Sequence, residues 1–364
     1  MQTEKEYLYL MSHAVHIGAN TIQKLYRHFQ SFEKVWNAGE NELAKAGVLT
    51  IKQIAELKEC KSRENEIRKE YERLSSDKIR YVTFLEEEYP NRLQYFKDKP
   101  AGLFVKGKLP DDEEPTVAIV GARDCTSYGR DVAAYLAGEL SKAGISVISG
   151  LALGVDCAAH KGALAAGGDT YAVLGCGVNI CYPKENYRLF SEIADSGGII
   201  SEFLPGTMPM QMHFPMRNRI ISGLSDAVVI TEAREKSGSL ITGDLALEQG
   251  KEVFAVPGRI NDPLSVGCNR LLRIGAAICL GPEDVINFFG IKYKKRLGEN
   301  KNSEKALAKR EKLVYRFLVS RPKSLEEIVT FCQISVSEAL ESLTTLELTG
   351  MIQSEGNQYY CRKM

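Results

Sequence analysis

The chain of 364 residues carries 47 basic and 47 acidic side chains, so its formal net charge is zero. Hydrophobic residues make up 44% of the chain and charged residues 26%, which is ordinary for a globular protein of two or three domains. A chain without excess positive charge can bind nucleic acid only where its cations are concentrated locally.

Several classes of protein are excluded early. No apolar stretch approaches the roughly 20 residues of a membrane helix, and residues 1–6 lack the basic and apolar regions of a secretory signal. The nine cysteines are scattered and form no C-x-x-C pair. We therefore expect a cytoplasmic protein with reduced thiols, without a structural zinc site and without membrane contact.

Residues 1–75 predict a helical, SAM-like domain. Apolar side chains recur at helical spacing after Gly18, at Ile22, Leu25 and Phe29. A glycine turn that opens a helix occurs in modules that bind the DNA backbone. The region around Gly18 lacks a clear G-x-G hairpin, so a plain packing or interaction domain is the interpretation we favour.

Residues 76–291 alternate between short apolar strands and helical patterns. The predicted strands are 81–85, 103–105, 117–120, 146–148, 171–174, 198–201, 227–230, 252–256 and 276–279. The predicted helices between them are 131–143, 156–166, 186–196 and 241–249. This alternation predicts an α/β fold: an extended Rossmann-like, doubly wound sheet, mostly parallel, with helices on both faces.

The last part of the chain predicts a linker and a small domain. Residues 292–311 are basic and low in large apolar groups, which is typical of a solvated linker; a DNA-binding tail is the alternative. Residues 312–364 predict three helices and a closing hairpin, which is a winged-helix-like pattern. Ser324 and Glu327 have the spacing of a capping box at the second helix. The third helix contains glutamates and no lysine or arginine, which favours protein contact over insertion into a DNA groove.

The predicted strands end in glycine-rich turns that carry basic residues. In an open α/β sheet such turns gather outside the carboxyl ends of the strands. Glycine lets backbone N–H groups approach a ligand closely, and helix N-termini favour anions. After the strand 117–120 the chain contains Gly121 and Arg123, then Ser127 and Gly129. We expect Arg123 to pair with phosphate, and the Ser127 hydroxyl and Gly129 N–H to donate hydrogen bonds to it.

Two later turns add candidates for phosphate binding. Lys184 follows the strand 171–174, so its ammonium group can point to the same edge of the sheet. Ser237 and Gly238 open the helix that continues through 241–249, which gives another helix N-terminus suited to an anion. The turns therefore predict a phosphate-binding surface assembled from several loops.

A third turn combines an aromatic ring with cations. Its candidate residues are Phe214, Arg217, Asn218 and Arg219. The combination suits single-stranded DNA, because the ring stacks on a base while guanidinium groups hold the backbone. The alternative is that Phe214 belongs to the core and that Arg219 pairs with Glu232 or Asp226.

Cofactor and metal sites are not expected. Arg123 and Thr126 replace the second and third glycines of the dinucleotide fingerprint that Gly121 would begin, and no acidic residue ends the next strand. Asp156 and His160 are four residues apart and could share a metal, but no third ligand is near. A helix cap and a packed histidine are therefore the expected arrangement.

The turns form six ordered blocks between about residues 80 and 290. They are Val-Gly-Ala-Arg with Tyr-Gly, Ser-Gly-Leu-Ala-Leu-Gly-Val-Asp with Ala-Ala-His, Val-Leu-Gly-Cys-Gly with Tyr-Pro-Lys-Glu-Asn, Phe-Pro-Met-Arg-Asn-Arg-Ile-Ile, Lys-Ser-Gly-Ser-Leu-Ile-Thr, and Val-Pro-Gly-Arg with Gly-Cys-Asn-Arg-Leu. In these blocks the chain resembles the DprA/Smf family, the DNA-processing proteins of bacterial natural transformation. The resemblance implies an extended Rossmann fold that binds single-stranded DNA, dimerises and hands the strand to RecA.

Site residues also follow from the resemblance. Carried over by motif, Arg123 and Lys184 would be the main phosphate contacts, with Phe214 and Arg219 lining the same pocket. Ala122 stands where the family often has serine, which removes one hydroxyl donor. We expect the effect of that difference to be small.

The leading hypothesis is a homodimeric, single-stranded DNA-binding recombination mediator, not an enzyme, that protects incoming DNA and loads RecA. One alternative is a Rossmann-like nucleotide phosphoribohydrolase in which Glu232, Arg234 and Ser237 imitate the catalytic arrangement, although its usual P-G-G-x-G-T turn is absent. The other alternative is a nucleotide-sensing regulator whose winged helix binds duplex DNA; the acidic third helix weighs against it.

Overall fold

The computed structural model describes residues 3–291, 307–318, 322–354 and 358–362. The chain divides into two compact units, Met1–Lys292 and Tyr293–Met364. Most of the predicted basic linker lies outside the described residues. The finer domain boundaries expected from the sequence stay predictions.

The chain begins with helices, as predicted. They are α1 (Glu4–Met11), α2 (Ala19–Phe29), α3 (Phe32–Asn37), α4 (Glu40–Lys45), α5 (Ile51–Ser62) and α6 (Glu64–Ser76). Five consecutive residues at the end of α1 are buried, so this helix is covered on all sides. The Tyr9 ring of α1 lies 5.6 Å from that of Tyr81 and 6.1 Å from that of Phe104, both in the adjoining sheet. The helices therefore share a hydrophobic core with the sheet.

One large sheet follows. Its strands are β1 (Arg80–Thr83), β2 (Gly102–Gly107), β3 (Thr116–Val120), β4 (Ser146–Ser149), β5 (Thr170–Val173), β6 (Gly198–Ser201), β7 (Ala227–Ile230), β8 (Glu252–Ala255) and β9 (Ala277–Ile278). Their order across the sheet is β1-β2-β6-β5-β4-β3-β7-β8-β9. Strands β3 to β9 run parallel, and β2 runs antiparallel to both of its neighbours. The predicted mostly parallel α/β sheet is confirmed.

Helices connect and cover these strands. They are α7 (Asn91–Gln94), α8 (Ser127–Lys142), α9 (Val155–Ala165), α10 (Tyr187–Ser196), α11 (His213–Leu224), α12 (Gly238–Glu248), α13 (Val266–Arg273) and α14 (Pro282–Phe288). Neighbouring strand residues point into different cores: Ala172 packs on the side of the N-terminal helices, whereas Tyr171 and Val173 pack on the other. Helices on both faces explain why the parallel strands are apolar along their whole length.

The prediction of a turn at 214–219 is wrong, because these residues form the first turns of α11. Pro215 makes the sequence resemble a loop. A proline in the first turn of a helix costs no hydrogen bond, since the N–H groups there have no partner within the helix.

The second unit has its own core and its own sheet. It consists of α15 (Lys309–Phe317), β10 (Lys323–Ser324), α16 (Leu325–Cys332), α17 (Val336–Leu348), β11 (Ile352–Ser354) and β12 (Tyr359–Arg362), with strand order β10-β12-β11. The predicted winged-helix pattern is confirmed. So is the capping box: Glu327 N–H donates to the Ser324 hydroxyl at 3.2 Å, and Ser324 N–H donates to the Glu327 carboxylate at 2.9 Å. The acidic third helix pairs with Arg310 through Glu338, at 3.0 Å.

Three further findings concern the described part of the chain. No helix there is long and apolar enough to cross a membrane. No group of three or more potential metal ligands occurs there. The nine cysteines are all free thiols, and most are buried.

Candidate nucleic-acid interface

The strand order reverses at β3, which lies between β4 and β7. In open α/β sheets, ligands bind at such a switch point, outside the carboxyl ends of the strands. The loops after β3 and β7 start side by side there. Thr231 N–H donates to Val120 O at 3.2 Å, and Ala122 N–H donates to Glu232 O at 2.8 Å.

Arg123 lies in the loop after β3, on a backbone that the loop after β4 holds in place. Val155 N–H donates to Ala122 O at 3.2 Å. Gly154 has φ +77° and lies so close to the carbonyls of Ala122 and Arg123 that a Cβ would overlap them. The Arg123 side chain itself is exposed. The structure thus presents this guanidinium from a fixed turn, where the sequence predicts it.

The Arg123 guanidinium lies over the ring of Phe214, with 4.9 Å between the guanidinium carbon and the ring centroid. The Tyr182 ring also stacks with the Phe214 ring, with 5.8 Å between the ring centroids and an interplanar angle of 29°. Gly175 leaves room for Phe214, because a Cβ there would lie 3.0 Å from the ring. We call Arg123, Phe214 and Tyr182 the stacked triad. A cation over an aromatic face contributes about 0.5–1 kcal/mol at an exposed site.

The sequence analysis did not include Tyr182 among the site residues. Tyr182 is 43% exposed, whereas Phe214 is half-buried beneath Arg123. The signal was present in the sequence, since an aromatic residue two positions before Lys184 follows the end of a parallel strand. Tyr182 therefore offers the triad's more exposed aromatic surface.

Lys184 is exposed and opens a short 3₁₀ turn, Lys184–Asn186, in the loop after β5. The buried Asn186 amide donates to Leu151 O at 3.0 Å, which ties this turn to the loop after β4. Lys184 therefore lies at the carboxyl edge with Arg123, as the sequence predicts. Tyr187, which is 69% exposed, begins the next helix.

A group of exposed methionines, which we call the methionine rim, lies on either side of Phe214 in the chain. It consists of residues in the loop before α11 and in its first turn: Met208, Met210, Met212 and Met216. Methionine is flexible and polarisable, so it adapts to irregular apolar partners such as base edges. The carboxyl edge thus combines exposed cations with aromatic and apolar surface.

Arg217 points into the protein and is only 4% exposed. Its guanidinium donates to Gly150 O at 2.8 Å and also to Val173 O. Burial, together with repulsion from Arg123, lowers the pKa of Arg217 to about 10, so it stays charged at neutral pH. This placement argues against the predicted phosphate contact and makes Arg217 a tie between the ends of β4 and β5.

Asn218 and Arg219 are also held inside the protein. The Asn218 amide donates to Gly238 O at 3.2 Å, and its oxygen accepts from Arg217 Nε at 3.2 Å. Arg219 pairs with Glu202 and, at 3.7 Å, with Asp98. Arg219 therefore forms ion pairs, but its partners are Glu202 and Asp98 instead of the expected Glu232 or Asp226. Neither side chain is presented to a ligand.

A side chain of the protein itself, that of Glu232, occupies the N-terminus of α8. Glu232, only 3% exposed, accepts hydrogen bonds from Thr126 N–H at 2.9 Å and from the Thr126 hydroxyl at 2.6 Å. Gly129 N–H donates to the Thr126 hydroxyl oxygen at 3.0 Å, so it is not available as the predicted phosphate donor. Ser127 is half-buried at the same turn.

The N-terminus of α12 is more open. Ser237 caps it by accepting from Ser239 N–H, at 3.4 Å, and is half-buried. Gly238 and Lys236 are exposed, although the carbonyl of Gly238 is engaged by Asn218. The structure places Ser237 and Gly238 at the carboxyl edge, next to a cation that the sequence analysis did not single out as a contact.

His160 is fully buried, and its Nδ1 lies 2.7 Å from the Thr170 hydroxyl. Burial lowers its pKa to about 3, so the ring is neutral near pH 7. The packed histidine expected from the sequence is confirmed. Asp156 lies in the first turn of α9 instead of at the cap, which is Gly154, and its carboxylate accepts from Gly150 N–H at 3.2 Å. Burial raises the pKa of Asp156.

A cleft of about 710 Å³ lies elsewhere, between α6 and β1. Tyr9, Tyr71 and Tyr81 contribute to its walls. Since β1 is the edge strand at the far end of the sheet from the switch point, this cleft is separate from the stacked triad.

Fold and site together define a Rossmann-like protein whose carboxyl edge presents cations and aromatic rings suited to an extended anion. Residues 80–290 match the family of DNA recombination-mediator protein A. The chain belongs to that family.

Individual relatives agree. Over 222 residues the chain is 42% identical to the DNA processing protein DprA of Streptococcus pneumoniae, covering 61% of this chain and 76% of that protein. The solved structure of that organism's DNA processing protein A superposes with a TM-score of 0.70 at 32% identity, covering 81% of this chain and all of the other. A structure of the Helicobacter pylori protein, described for its single-stranded DNA binding mode, has a TM-score of 0.53 at 36% identity, covering 59% and 98%.

Proposed function

We propose that this protein binds single-stranded DNA at the carboxyl edge of its sheet and acts as a cytoplasmic recombination mediator without an enzymatic activity of its own. The observation that carries the proposal is the stacked triad: an exposed guanidinium lies over one ring and a second, more exposed ring extends the stack. Arg123 and Lys184 hold phosphates, while Tyr182, supported by Phe214, stacks on a base. The methionine rim adapts to neighbouring bases.

A single strand fits this surface better than a duplex does. Aromatic faces can stack only on bases that are not already paired and stacked, and every base offers such a face. The binding is therefore only weakly dependent on sequence. Phosphate contacts make it sensitive to salt, because each one releases counterions from the DNA.

Membership of the family supports the biological role that we propose. The protein protects incoming DNA during natural transformation and hands it to RecA, and a homodimer offers two such edges to one strand. The winged-helix unit contacts protein, because its third helix, α17, exposes acidic side chains and contains no lysine or arginine. Like charges would repel a DNA backbone from that helix.

The hydrolase alternative requires a free carboxylate beside a ligand. Glu232 instead is buried and already accepts two hydrogen bonds from Thr126, and Arg234 lies 3.8 Å from the exposed Asp124. Incubation with nucleoside monophosphates tests this directly. We expect no release of free base; catalytic release that a Glu232→Gln variant abolishes would favour the hydrolase.

The test of binding is fluorescence anisotropy with a labelled single-stranded oligonucleotide and its duplex, at equal salt. We expect the single strand to bind at least tenfold more tightly, and the Arg123→Ala, Lys184→Ala double variant to lose that preference. Equal binding of both forms, or a double variant that binds like the wild type, would refute the site. Sedimentation of the free protein tests the proposed dimer separately.

A further inference from the structure

In dinucleotide-binding folds, the phosphate lies at the N-terminus of the helix that follows the first strand of the switch point, because free N–H groups and the helix dipole attract it there. Here that helix is α8, which follows β3 at the switch point and is 16 residues long. Its N-terminus should therefore be the strongest anion position on the sheet edge.

That position already contains an anion. Both oxygens of the Glu232 carboxylate accept hydrogen bonds from Thr126, the capping residue of α8. The carboxylate lies so close to the first turn that a Cβ on Gly129 would overlap it. Glu232 lies in the loop after β7, the strand on the other side of the switch point. A side chain thus bridges the two loops where a nucleotide phosphate would do so.

A second polar group lies beside the loop that leads from β3 to α8. The Thr231 hydroxyl is buried, at 3% exposure, and makes no hydrogen bond among the described residues. It lies 3.0 Å from where a Cβ on Gly121 would stand. The loop between β3 and α8 therefore has a second hydrogen-bond donor beside it, which no group among the described residues uses.

We infer that Glu232 is a positioning and specificity residue that fills the phosphate position of α8 with its own carboxylate. Free nucleotides are thereby excluded from the switch point. The DNA contacts move outward to Arg123 and Lys184, where only a polymer can engage several weak contacts together. The part about DNA rests on the proposed function; the exclusion of free anions does not.

The inference predicts a gain of anion binding when the carboxylate is removed. We would compare the full-length wild type with Glu232→Ala in thermal unfolding, adding formate, inorganic phosphate or chloride at equal ionic strength. The variant should have a lower Tm. Formate or phosphate, but not chloride, should raise that Tm by about 2–4 °C when the anion is near ten times its Kd. The wild type should show no anion-specific shift.

A calorimetric titration with AMP supplies a second measurement that does not depend on the variant's stability. The wild type should bind no AMP at the switch point, whereas Glu232→Ala should bind it saturably. Saturable AMP binding by the wild type that an Arg123→Ala variant retains would overturn the inference, and so would a destabilised Glu232→Ala variant that no anion stabilises. Neither measurement contains DNA, so failure of the DNA-binding proposal alone would leave both results unchanged.

Discussion

The number of phosphates held at the carboxyl edge can be counted by salt dependence. For single strands the slope of log K against log salt is about −0.7 for each phosphate contact. Removing the exposed cations Arg123 and Lys184 should therefore make the slope shallower by about 1.4. Between about 50 and 200 mM salt, the ratio of wild-type to double-variant affinity should then shrink about sevenfold. Each single substitution should shift the slope by about half as much.

The assay is anisotropy of a labelled oligothymidylate across the salt series. Arg123→Lys separates charge from shape: it should keep the wild-type slope but bind more weakly, because an ammonium group loses the planar contact with Phe214. The matched control is Lys142→Ala, which removes a cation at the last residue of α8, about 22 Å along the helix from its first residue, Ser127. Lys142 is 57% exposed and pairs with Glu139 at 2.9 Å. A control slope that falls as far as that of the double variant, or a double variant with the wild-type slope, would show that the phosphates are held elsewhere.

Three further predictions concern buried residues that hold the site in place. Gly129→Ala should destabilise the protein by about 1–3 kcal/mol in urea denaturation and weaken binding of single-stranded DNA, because its methyl group would overlap the Glu232 carboxylate. The control is Gly138→Ala on the same helix, where the atom nearest to the new Cβ would be 3.4 Å away; it should be neutral or stabilising by up to about 1 kcal/mol. His160 takes up a proton in the unfolded state below about pH 6.5 but in the folded state only near pH 3, so stability should fall by about 2 kcal/mol between pH 7 and 5 relative to a His160→Gln variant. Subtracting the stability of the His160→Gln variant from that of the wild type at each pH removes the contribution of Asp156, whose raised pKa favours the folded state as pH falls. If the two proteins lose stability in parallel between pH 7 and 5, His160 is not the neutral buried histidine described above. Arg217→Met should cost about 3–5 kcal/mol in urea denaturation, because it leaves buried carbonyls and Asp156 without their partner, and a loss below 1 kcal/mol would mean that Arg217 is not the tie described above.

Local patterns were sufficient to predict most of the fold. The strands 198–201 and 227–230 were predicted with the bounds that the structure has, because each is a short apolar run between glycine or polar residues. The capping box at Ser324 was equally local. Helix α11 was missed because Pro215 and its flanking residues favour a loop by propensity, whereas the packing of Ile220, Leu224 and their neighbours on the sheet decides for a helix.

The site could be predicted only where position along a strand determines exposure. Arg123 and Lys184 follow directly from the rule that loops after parallel strands share one edge. Arg217 does not: its acceptors, Gly150 O and Val173 O, come from residues 67 and 44 positions away in the chain. A single sequence shows an arginine next to an asparagine and a second arginine, and nothing local indicates which of them turns inward.

The role of Glu232 was outside the reach of sequence patterns for the same reason. Its carboxylate accepts hydrogen bonds from Thr126, 106 positions away in the chain, and it leaves no room for a Cβ on Gly129. The sequence offered Glu232 as a catalytic candidate or as an ion-pair partner of Arg219. In the structure Glu232 is buried at the N-terminus of α8, where it helps to hold the turn that carries Arg123.

The most direct test of the central claim is photo-crosslinking of single-stranded DNA that carries 5-iodo-deoxyuridine, followed by mass spectrometry of the peptides. Iodouracil crosslinks to aromatic rings on which it stacks, so the label reports where bases lie. We predict crosslinks at Tyr182, with Phe214 or Tyr187 as neighbours, and their loss in the Arg123→Ala, Lys184→Ala variant. Crosslinks confined to the N-terminal helices, or to the winged-helix unit, would contradict a binding site at the carboxyl edge of the sheet.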